Sequence, residues 1–337
     1  MPAQVAVAFC ADENYAVMLA VAMRSLLHNT RIARALDVYV IDGGLGAETV
    51  ARLHALVAGA PVDAQLHIIA PTTEALPGGA RLPWTNRSAF LRLLLLDLIT
   101  ADVERLLYVD SDVMFTGGDL EALWDVDLGD HLLGAVLDPG CWNGYPELHE
   151  LGFARDAAYF NAGFLLLDAR RCREEQTLQR ALLRLQELPD KLDYADQDVL
   201  NLVCQRRWLA LEPRWNMISR TLQFELAGSA GPLKDGRDNA YMIHFTGPGR
   251  AGPGAMWWAK REDLKPLAFP CTHPMRERFF RELDQTPWSG WRPTMSGFVD
   301  ECMDELRLLV DKVAAADPLF DRDAFLAEYA QRVAAWR

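Results

Sequence analysis

Basic side chains are scarce in this 337-residue chain: 34 Lys and Arg stand against 47 Asp and Glu, giving a formal net charge of −13. A surface of that sign repels phosphate backbones and anionic headgroups. It therefore argues against a nucleic-acid partner and against constitutive attachment to an anionic membrane. Paired cysteines are missing too. The six present (Cys10, Cys141, Cys172, Cys204, Cys271 and Cys302) include no Cys-x-x-Cys, which fits reduced thiols better than a disulfide framework or a zinc site. No apolar run approaches the roughly 18–20 residues that span a bilayer. Met1-Pro2-Ala3-Gln4 leads straight into a strand-like run, without the basic and apolar regions of a signal peptide. These absences predict a cytoplasmic globular protein. Its length allows one large α/β domain with an appendage, or two domains.

What is present is a regular alternation of strand and helix patterns. Gln4 to Cys10 is an apolar, β-favouring run, followed by the polar turn Ala11-Asp12-Glu13-Asn14-Tyr15 and helical spacing over Ala16 to His28. Leu36 to Ile41 predicts a second strand, Ala47 to Val57 a helix, and Gln65 to Ile69 a third strand. That β-α-β-α-β order means parallel strands with right-handed crossovers, and ligands that collect beyond their carboxyl ends. Residues 70–87, with Pro71, Pro77, Gly78, Gly79 and Pro83, read as an irregular loop. Ser88 is placed to cap a very apolar helix, Ala89 to Ile99, interrupted by Arg92. An arginine there either snorkels to water or pairs with an anion, and an anionic ligand is the favoured partner. Leu132 to Leu137 and Phe160 to Leu167 predict further strands, Arg170 to Leu188 an amphipathic helix, and Gln197 to Cys204 a shorter one.

The chemistry concentrates at Leu106-Leu107-Tyr108-Val109-Asp110-Ser111-Asp112-Val113. Residues i and i+2 of an extended chain share a face, so Asp110 and Asp112 converge at the end of a buried strand. Two converging carboxylates repel unless a cation lies between them, and hard oxygen ligands suit Mg²⁺ or Mn²⁺ carrying a phosphate. The chain has three more Asp-x-Asp triplets, at Asp125/Asp127, Asp196/Asp198 and Asp321/Asp323. An arbitrary triplet of this kind is as well read as a solvated turn or a helix cap. Only the first ends an apolar strand. Further on, a strand over Tyr241 to Phe245 runs into Thr246-Gly247-Pro248-Gly249-Arg250. That loop is built either to approach a phosphate or to serve as a flexible connector. Beyond Pro270 lie the aromatic knot Trp288, Trp291 and Pro293 and two amphipathic helices, Phe298 to Ala315 and Asp321 to Trp336. Their stripes fit core packing, a dimer contact or a membrane-surface helix. Nine acidic against five basic residues over 297–337 speak against anionic lipid.

Taken in order, these blocks resemble glycosyltransferase family 8, whose bacterial members include lipo-oligosaccharide galactosyl- and glucosyltransferases. The likeness runs over roughly residues 4–250. Val5 to Tyr15 looks like the family's opening strand and nucleotide-base loop, and Leu91-Arg92-Leu93 like its Tyr-x-Arg-Leu helix, with Phe90 in the aromatic place. Tyr108 to Val113 is similar to its metal motif. Trp124 to Asp130, Tyr159 to Leu166, Asp196 to Asn201 and His244 to Arg250 complete the series. Two departures stand out: Arg250 replaces the usual Lys, and Ala251 to Met256 intervene before Trp257-Trp258.

The resemblance implies a GT-A (Rossmann-like) α/β fold with a mixed, mostly parallel sheet. A catalytic domain over residues 1–265 would carry a small helical C-terminal region over 266–337. It implies a Mn²⁺-dependent (or Mg²⁺-dependent) retaining hexosyltransferase that uses a UDP-sugar and a saccharide or other hydroxyl acceptor, as in lipopolysaccharide-type glycan synthesis. Asp110, Asp112 and His244 would hold the metal. Asp12 and Asn14 would meet the uracil and ribose, Gly247 and Arg250 would clasp the diphosphate, and Ala11, Asp110 and Ser111 would also line the donor site. Arg92 would contact the diphosphate or sugar. Asn161, Asp196 and Gln197 would hold the sugar hydroxyls, with Asp138 towards the acceptor. Retention would follow from double displacement or from same-face attack; Gln197 is a poor nucleophile, and Asp196 is the other candidate. The tail lacks basic, aromatic membrane-docking character, which leaves peripheral membrane contact and dimerisation through the C-terminal helices open. Two other readings compare with this one. A degenerate member would bind the nucleotide-sugar without turnover. A sugar nucleotidyltransferase would carry a glycine-rich Lys/Arg loop after the first strand, and Ala11 to Tyr15 has none.

Overall fold

The computed structural model describes residues 4–71, 90–141, 143–188, 192–218, 239–245, 275–292, 321–324 and 327. The chain divides into two compact units, Met1–Phe245 and Thr246–Arg337. The first is built on a seven-stranded sheet. Its strands are Val5–Ala11 (β1), Leu36–Asp42 (β2), Ala64–Ile69 (β3), Arg105–Val109 (β4), Leu133–Leu137 (β6), Phe160–Asp168 (β7) and Trp208–Ala210 (β8), in the order β3-β2-β1-β4-β7-β6-β8. β1 pairs in parallel with β2 and β4, and β2 with β3. β7 runs antiparallel between β4 and β6. Every residue of β1 is buried, as a central strand covered on both faces requires. The sheet is therefore mixed and mostly parallel, as the sequence pattern predicts.

A second, three-stranded sheet sits beyond the end of β4. Val113–Phe115 (β5) pairs antiparallel with Met242–His244 (β10), which pairs in parallel with Met217–Ile218 (β9). This small sheet sets His244 opposite Val113 and next to Ile218. It thereby carries a histidine from far along the chain to the aspartate pair.

Two helices differ from the expected ones. In place of one helix over Ala89 to Ile99, Arg92–Leu94 is a 3-10 turn followed by the single turn Leu95–Leu98. Ser88, the expected cap, lies outside the described residues, as does most of the 70–87 loop. The long helix expected from Arg170 to Leu188 is broken into Ala169–Glu174 and Thr177–Glu187, because Gln176 adopts a left-handed φ of 51° between them. Asp168 caps the first piece by accepting from the Arg171 N–H at 2.8 Å.

In the second unit, Arg276–Leu283 is helical and buries Phe279 and Leu283. Asp284 accepts from Arg292 Nη2 (2.7 Å) and the Gly290 N–H (3.0 Å), closing the turn that follows. The helix expected over Phe298 to Ala315 and most of the one over Asp321 to Trp336 lie outside the described residues, as does the expected domain boundary near 265. Among the described residues no helix is long and apolar enough to cross a membrane.

Candidate metal and sugar site

β4 ends at Val109, and the chain turns through Asp110-Ser111-Asp112 before β5 begins. Three tethers hold that turn. The Asp110 N–H donates to the Gly163 carbonyl of β7 (2.9 Å), Ser111 Oγ donates to the Cys10 carbonyl of β1 (2.5 Å), and the Asp112 carbonyl accepts from the Phe245 N–H (2.8 Å). The side chains of Asp110, Asp112 and His244 each then present a ligand atom, all within 4.8 Å of one another. His244 Nε2 stands 3.5 Å from Asp110 Oδ2 and 3.3 Å from Asp112 Oδ1. The ring's other nitrogen, Nδ1, is 2.9 Å from Asn216 Oδ1.

The space at this cluster depends on Gly163. A Cβ there would fall 2.2 Å from His244 Cε1 and 2.8 Å from Asp110 Oδ2. Two carboxylates, an imidazole with its second nitrogen engaged, and a cradle that a methyl group would fill fit Mn²⁺ or Mg²⁺.

Arg92 lies beside this cluster. Its Nη2 is 2.9 Å from Asp110 Oδ1, its Nε 2.6 Å from Asp196 Oδ2, and its Nη1 donates to the Ala162 carbonyl at 2.8 Å. The Asp196 contact lies off the N–H direction, so it is charge against charge rather than an aligned hydrogen bond. The guanidinium also packs over Tyr108 at 5.0 Å, and the Tyr108 hydroxyl donates to Asp110 Oδ1 at 2.5 Å. The anion that justifies a buried arginine here is thus the protein's own pair of carboxylates. Burial disfavours the charged guanidinium, but Asp110 and Asp196 outweigh it and hold Arg92 protonated. For Asp196 burial wins: although Arg92 pulls the other way, its carboxyl is pushed up to about 6. Three carboxyl groups, Asp110, Asp112 and Asp196, thus face one guanidinium, an acidic excess that suits a divalent cation.

The helix Asp196–Cys204 brings Gln197 against β7. Gln197 Oε1 accepts from the Ala162 N–H (2.9 Å) and Asn161 Nδ2 (3.1 Å). Gln197 Nε2 donates to Asp138 Oδ2 and Tyr159 Oη, both at 3.2 Å. Asp138 Oδ2 also accepts from Asn161 Nδ2 at 3.1 Å. Asn161, Gln197 and Asp138 therefore form one polar cluster.

Behind it lie residues that sequence reasoning assigned no role. Asp198 accepts from Tyr159 Oη (2.6 Å), Tyr145 Oη (2.7 Å) and the Tyr194 N–H (2.7 Å). Burial raises its carboxyl above the usual range, and those three donors oppose the shift. The Tyr194 tether also holds the turn in which Ala195 takes φ 45° and ψ −108°, a strained conformation for a residue with a Cβ. Asn201 Oδ1 and Nδ2 grip the backbone N–H and carbonyl of Phe160, each at 2.9 Å, and lock helix to strand.

At the carboxyl end of β1, Asp12 caps the 3-10 turn Glu13–Tyr15 by accepting from the N–H groups of Asn14 (3.0 Å) and Tyr15 (3.3 Å). Glu13 reaches across to Gly46 N–H and Thr49 Oγ1, both at 2.7 Å, at the start of the helix Ala47–Ala58. Ala11 is buried as the last residue of β1, and its carbonyl accepts from the Gly43 N–H at 2.8 Å. The structure thus brings together Asp110, Asp112, His244, Arg92 and Asp196 in one cluster and Asn161, Gln197 and Asp138 in the adjoining one. Ala11, Asp12 and Ser111 stand at the neighbouring strand ends. Gly247 and Arg250 lie outside the described residues. Gly163 and Tyr159 fall inside the Tyr159 to Leu166 block but carried no role of their own, and Asn216 lies outside every block; the fold alone brings their contacts to the site.

Comparison with known proteins agrees with this geometry. The model of Glycosyl transferase family 8 matches residues 6–251. General stress protein A of Bacillus subtilis is 28% identical over 290 residues, covering 83% of this chain and 93% of that protein. Lipopolysaccharide 1,2-glucosyltransferase of Escherichia coli is 27% identical over 240 residues, covering 70% of this chain and 69% of that one. Among solved structures, galactosyltransferase LgtC in complex with donor and acceptor sugar analogs superposes with a TM-score of 0.64 at 26% identity, over 87% of this chain and 99% of that one.

Proposed function

The chain belongs to glycosyltransferase family 8, with its GT-A fold and hexosyltransferase activity, and on that footing we propose that it moves galactose or glucose from a UDP-sugar to a saccharide hydroxyl with retention at the anomeric carbon. The observation that carries this reading is the adjacency of the Asp110/Asp112/His244 cluster to the amide and carboxylate groups of Asn161, Gln197 and Asp138. One half suits a diphosphate with its cation, and the other suits sugar hydroxyls. The acceptor we propose is of the lipopolysaccharide type, on the strength of the similarity to the E. coli lipopolysaccharide 1,2-glucosyltransferase. Residues 1–265 would form the catalytic domain, and 266–337 a helical appendage.

Asp110, Asp112 and His244 would hold Mn²⁺, whose charge would neutralise the diphosphate as the anomeric C–O bond breaks. Asp12 and Asn14, at the end of β1, would meet the uridine. Arg92 stands against both Asp110 (Nη2 to Oδ1, 2.9 Å) and Asp196 (Nε to Oδ2, 2.6 Å), which fixes the direction of both carboxylates. All of Gln197's amide bonds in this structure go to Ala162, Asn161, Asp138 and Tyr159, so it acts as an oriented dipole beside the oxocarbenium-like carbon. An amide so engaged is a poor nucleophile, and Asp196 is committed to Arg92. Both facts favour same-face attack with the leaving phosphate as base.

The test is UDP release by the purified protein from a panel of UDP-sugars, with Mn²⁺ or EDTA and without acceptor. Mn²⁺-dependent release from one sugar is the expected result and names the donor. Absence of both turnover and metal-dependent UDP binding would overturn the reading.

A further inference from the structure

We infer that Asn216 is a positioning residue that fixes the tautomer of His244, and that it does so through a relay starting at a backbone amide of β7. The inference rests on the metal reading above. The relay begins at the Gly163 N–H, which can only donate, and which donates to Asn161 Oδ1 at 3.0 Å. That identifies the oxygen end of the Asn161 amide without reference to any other side chain. Asn161 Oδ1 also receives a second group at 2.8 Å, Asn216 Nδ2. Because the receiving atom is an oxygen, the Asn216 end facing it must be the NH₂ end. The oxygen end of Asn216 then faces the imidazole, 2.9 Å from His244 Nδ1. An amide oxygen accepts, so Nδ1 must carry the proton.

The consequence lies on the other side of the ring. A neutral imidazole protonated at Nδ1 presents its Nε2 lone pair, and Nε2 is the atom facing Asp110 and Asp112 at 3.5 and 3.3 Å. A lone pair turned on two carboxylates repels them until a cation stands between, so the relay orients His244 as a ligand. Asn216 and His244 are buried, at 3% and 2% exposure, and no solvent rearrangement can easily substitute for the missing acceptor. The opposite tautomer would point an N–H at the carboxylates and leave Nδ1 and Asn216 Oδ1 as two facing acceptors. One further property follows. Asn161 Nδ2 donates to Asp138 Oδ2 and Gln197 Oε1, so the same relay joins the metal ligand to the sugar-binding groups.

The experiment is Mn²⁺ binding to the full-length protein, followed by electron paramagnetic resonance of the free ion, in wild type, Asn216→Leu and Asn216→Asp. Asn216→Leu removes the acceptor and is expected to weaken Mn²⁺ binding about 10–100-fold, the usual scale for a ligand's hydrogen-bond partner. Asn216→Asp keeps an acceptor at Nδ1 but cannot donate to Asn161. It is expected to hold Mn²⁺ within a few-fold of wild type while its kcat for UDP release falls about tenfold. Wild-type affinity in Asn216→Leu would overturn the inference and leave the metal reading standing; failure of the wild type itself to bind Mn²⁺ would overturn both. Should Asn216→Leu not fold, long-range ¹H–¹⁵N spectra of the wild type saturated with diamagnetic Mg²⁺ decide the matter: the His244 ring proton is expected on Nδ1, and a proton on Nε2 would overturn the proposal.

Discussion

Replacing Gly163 by Ala adds a single methyl group at a crowded point beside His244 and Asp110, so its effect follows directly from the structure. The new Cβ would stand 2.2 Å from His244 Cε1 and 2.8 Å from both His244 Nδ1 and Asp110 Oδ2, where ordinary contact begins near 3.4 Å. His244 must therefore retreat by about 1.2 Å, the difference between those first and last distances. It cannot do so and keep its 2.9 Å bond to Asn216. Gly163 sits in the interior of β7, where alanine would ordinarily be preferred to glycine by roughly 0.5–1 kcal/mol. Overpacking costs about 1–3 kcal/mol, so the net loss of stability should be modest, about 0–2.5 kcal/mol. Function should suffer far more, because a displacement of about 1 Å in a reacting group can cost on the order of 100-fold. The assay is a Mn²⁺ titration of UDP release alongside thermal melts with and without Mn²⁺. The expected result is a folded protein whose turnover falls about 100-fold and whose melting temperature no longer rises with Mn²⁺ as the wild type's does. A Gly163→Ala enzyme with wild-type Mn²⁺ dependence would show that the cluster is not the metal site.

Asp112→Ala removes one of two carboxylates from that site. It should abolish Mn²⁺-dependent turnover and metal-dependent UDP binding; calorimetry showing unchanged UDP affinity in Mn²⁺ would contradict the assignment. Gln197→Ala should lower kcat more than it raises the donor KM, since its amide would act on the developing charge rather than on the bound ground state. The reverse pattern would place Gln197 in ground-state binding alone. Tyr159→Phe deletes the hydroxyl joining Gln197 to Asp198, and kcat should fall about tenfold, the scale of one buried hydrogen bond to a charge-linked group. Burial raises the Asp196 carboxyl from an ordinary 3.8 to about 6, so the native state holds its proton more tightly than the unfolded chain does. That contribution is present below the ordinary value and is lost as pH rises through about 6, in total roughly 2–3 kcal/mol. In urea melts with chelator present, the stability of wild type relative to Asp196→Asn should fall by that amount between about pH 4 and pH 7. A constant difference would refute it.

The sequence by itself determined the strand that ends at Asp110-Ser111-Asp112, because a short apolar run between polar stretches, in an alternation of strands and helices, reads as a buried strand. It also determined the alternation that builds β1 to β3. The blocks around Arg92, Asn161, Asp196 and His244 were legible as a family pattern, with residue types suited to phosphate, metal and hydroxyls. Local spacing misjudged the helices. The apolar stretch after Phe90 coils as a 3-10 turn where Arg92 is drawn between Asp110 and Asp196, and Gln176 breaks a helix that periodicity alone would run through. Only the tertiary structure decided what surrounds the ligands. The antiparallel pairing of β10 with β5 carries His244 to the aspartates, β7 supplies Gly163 as bare backbone beneath the imidazole, and β9 begins just after Asn216. Those partners are remote in sequence, and their roles depend on distance and hydrogen-bond direction. A spacing pattern encodes neither, because each is fixed only when separate strands are brought into register.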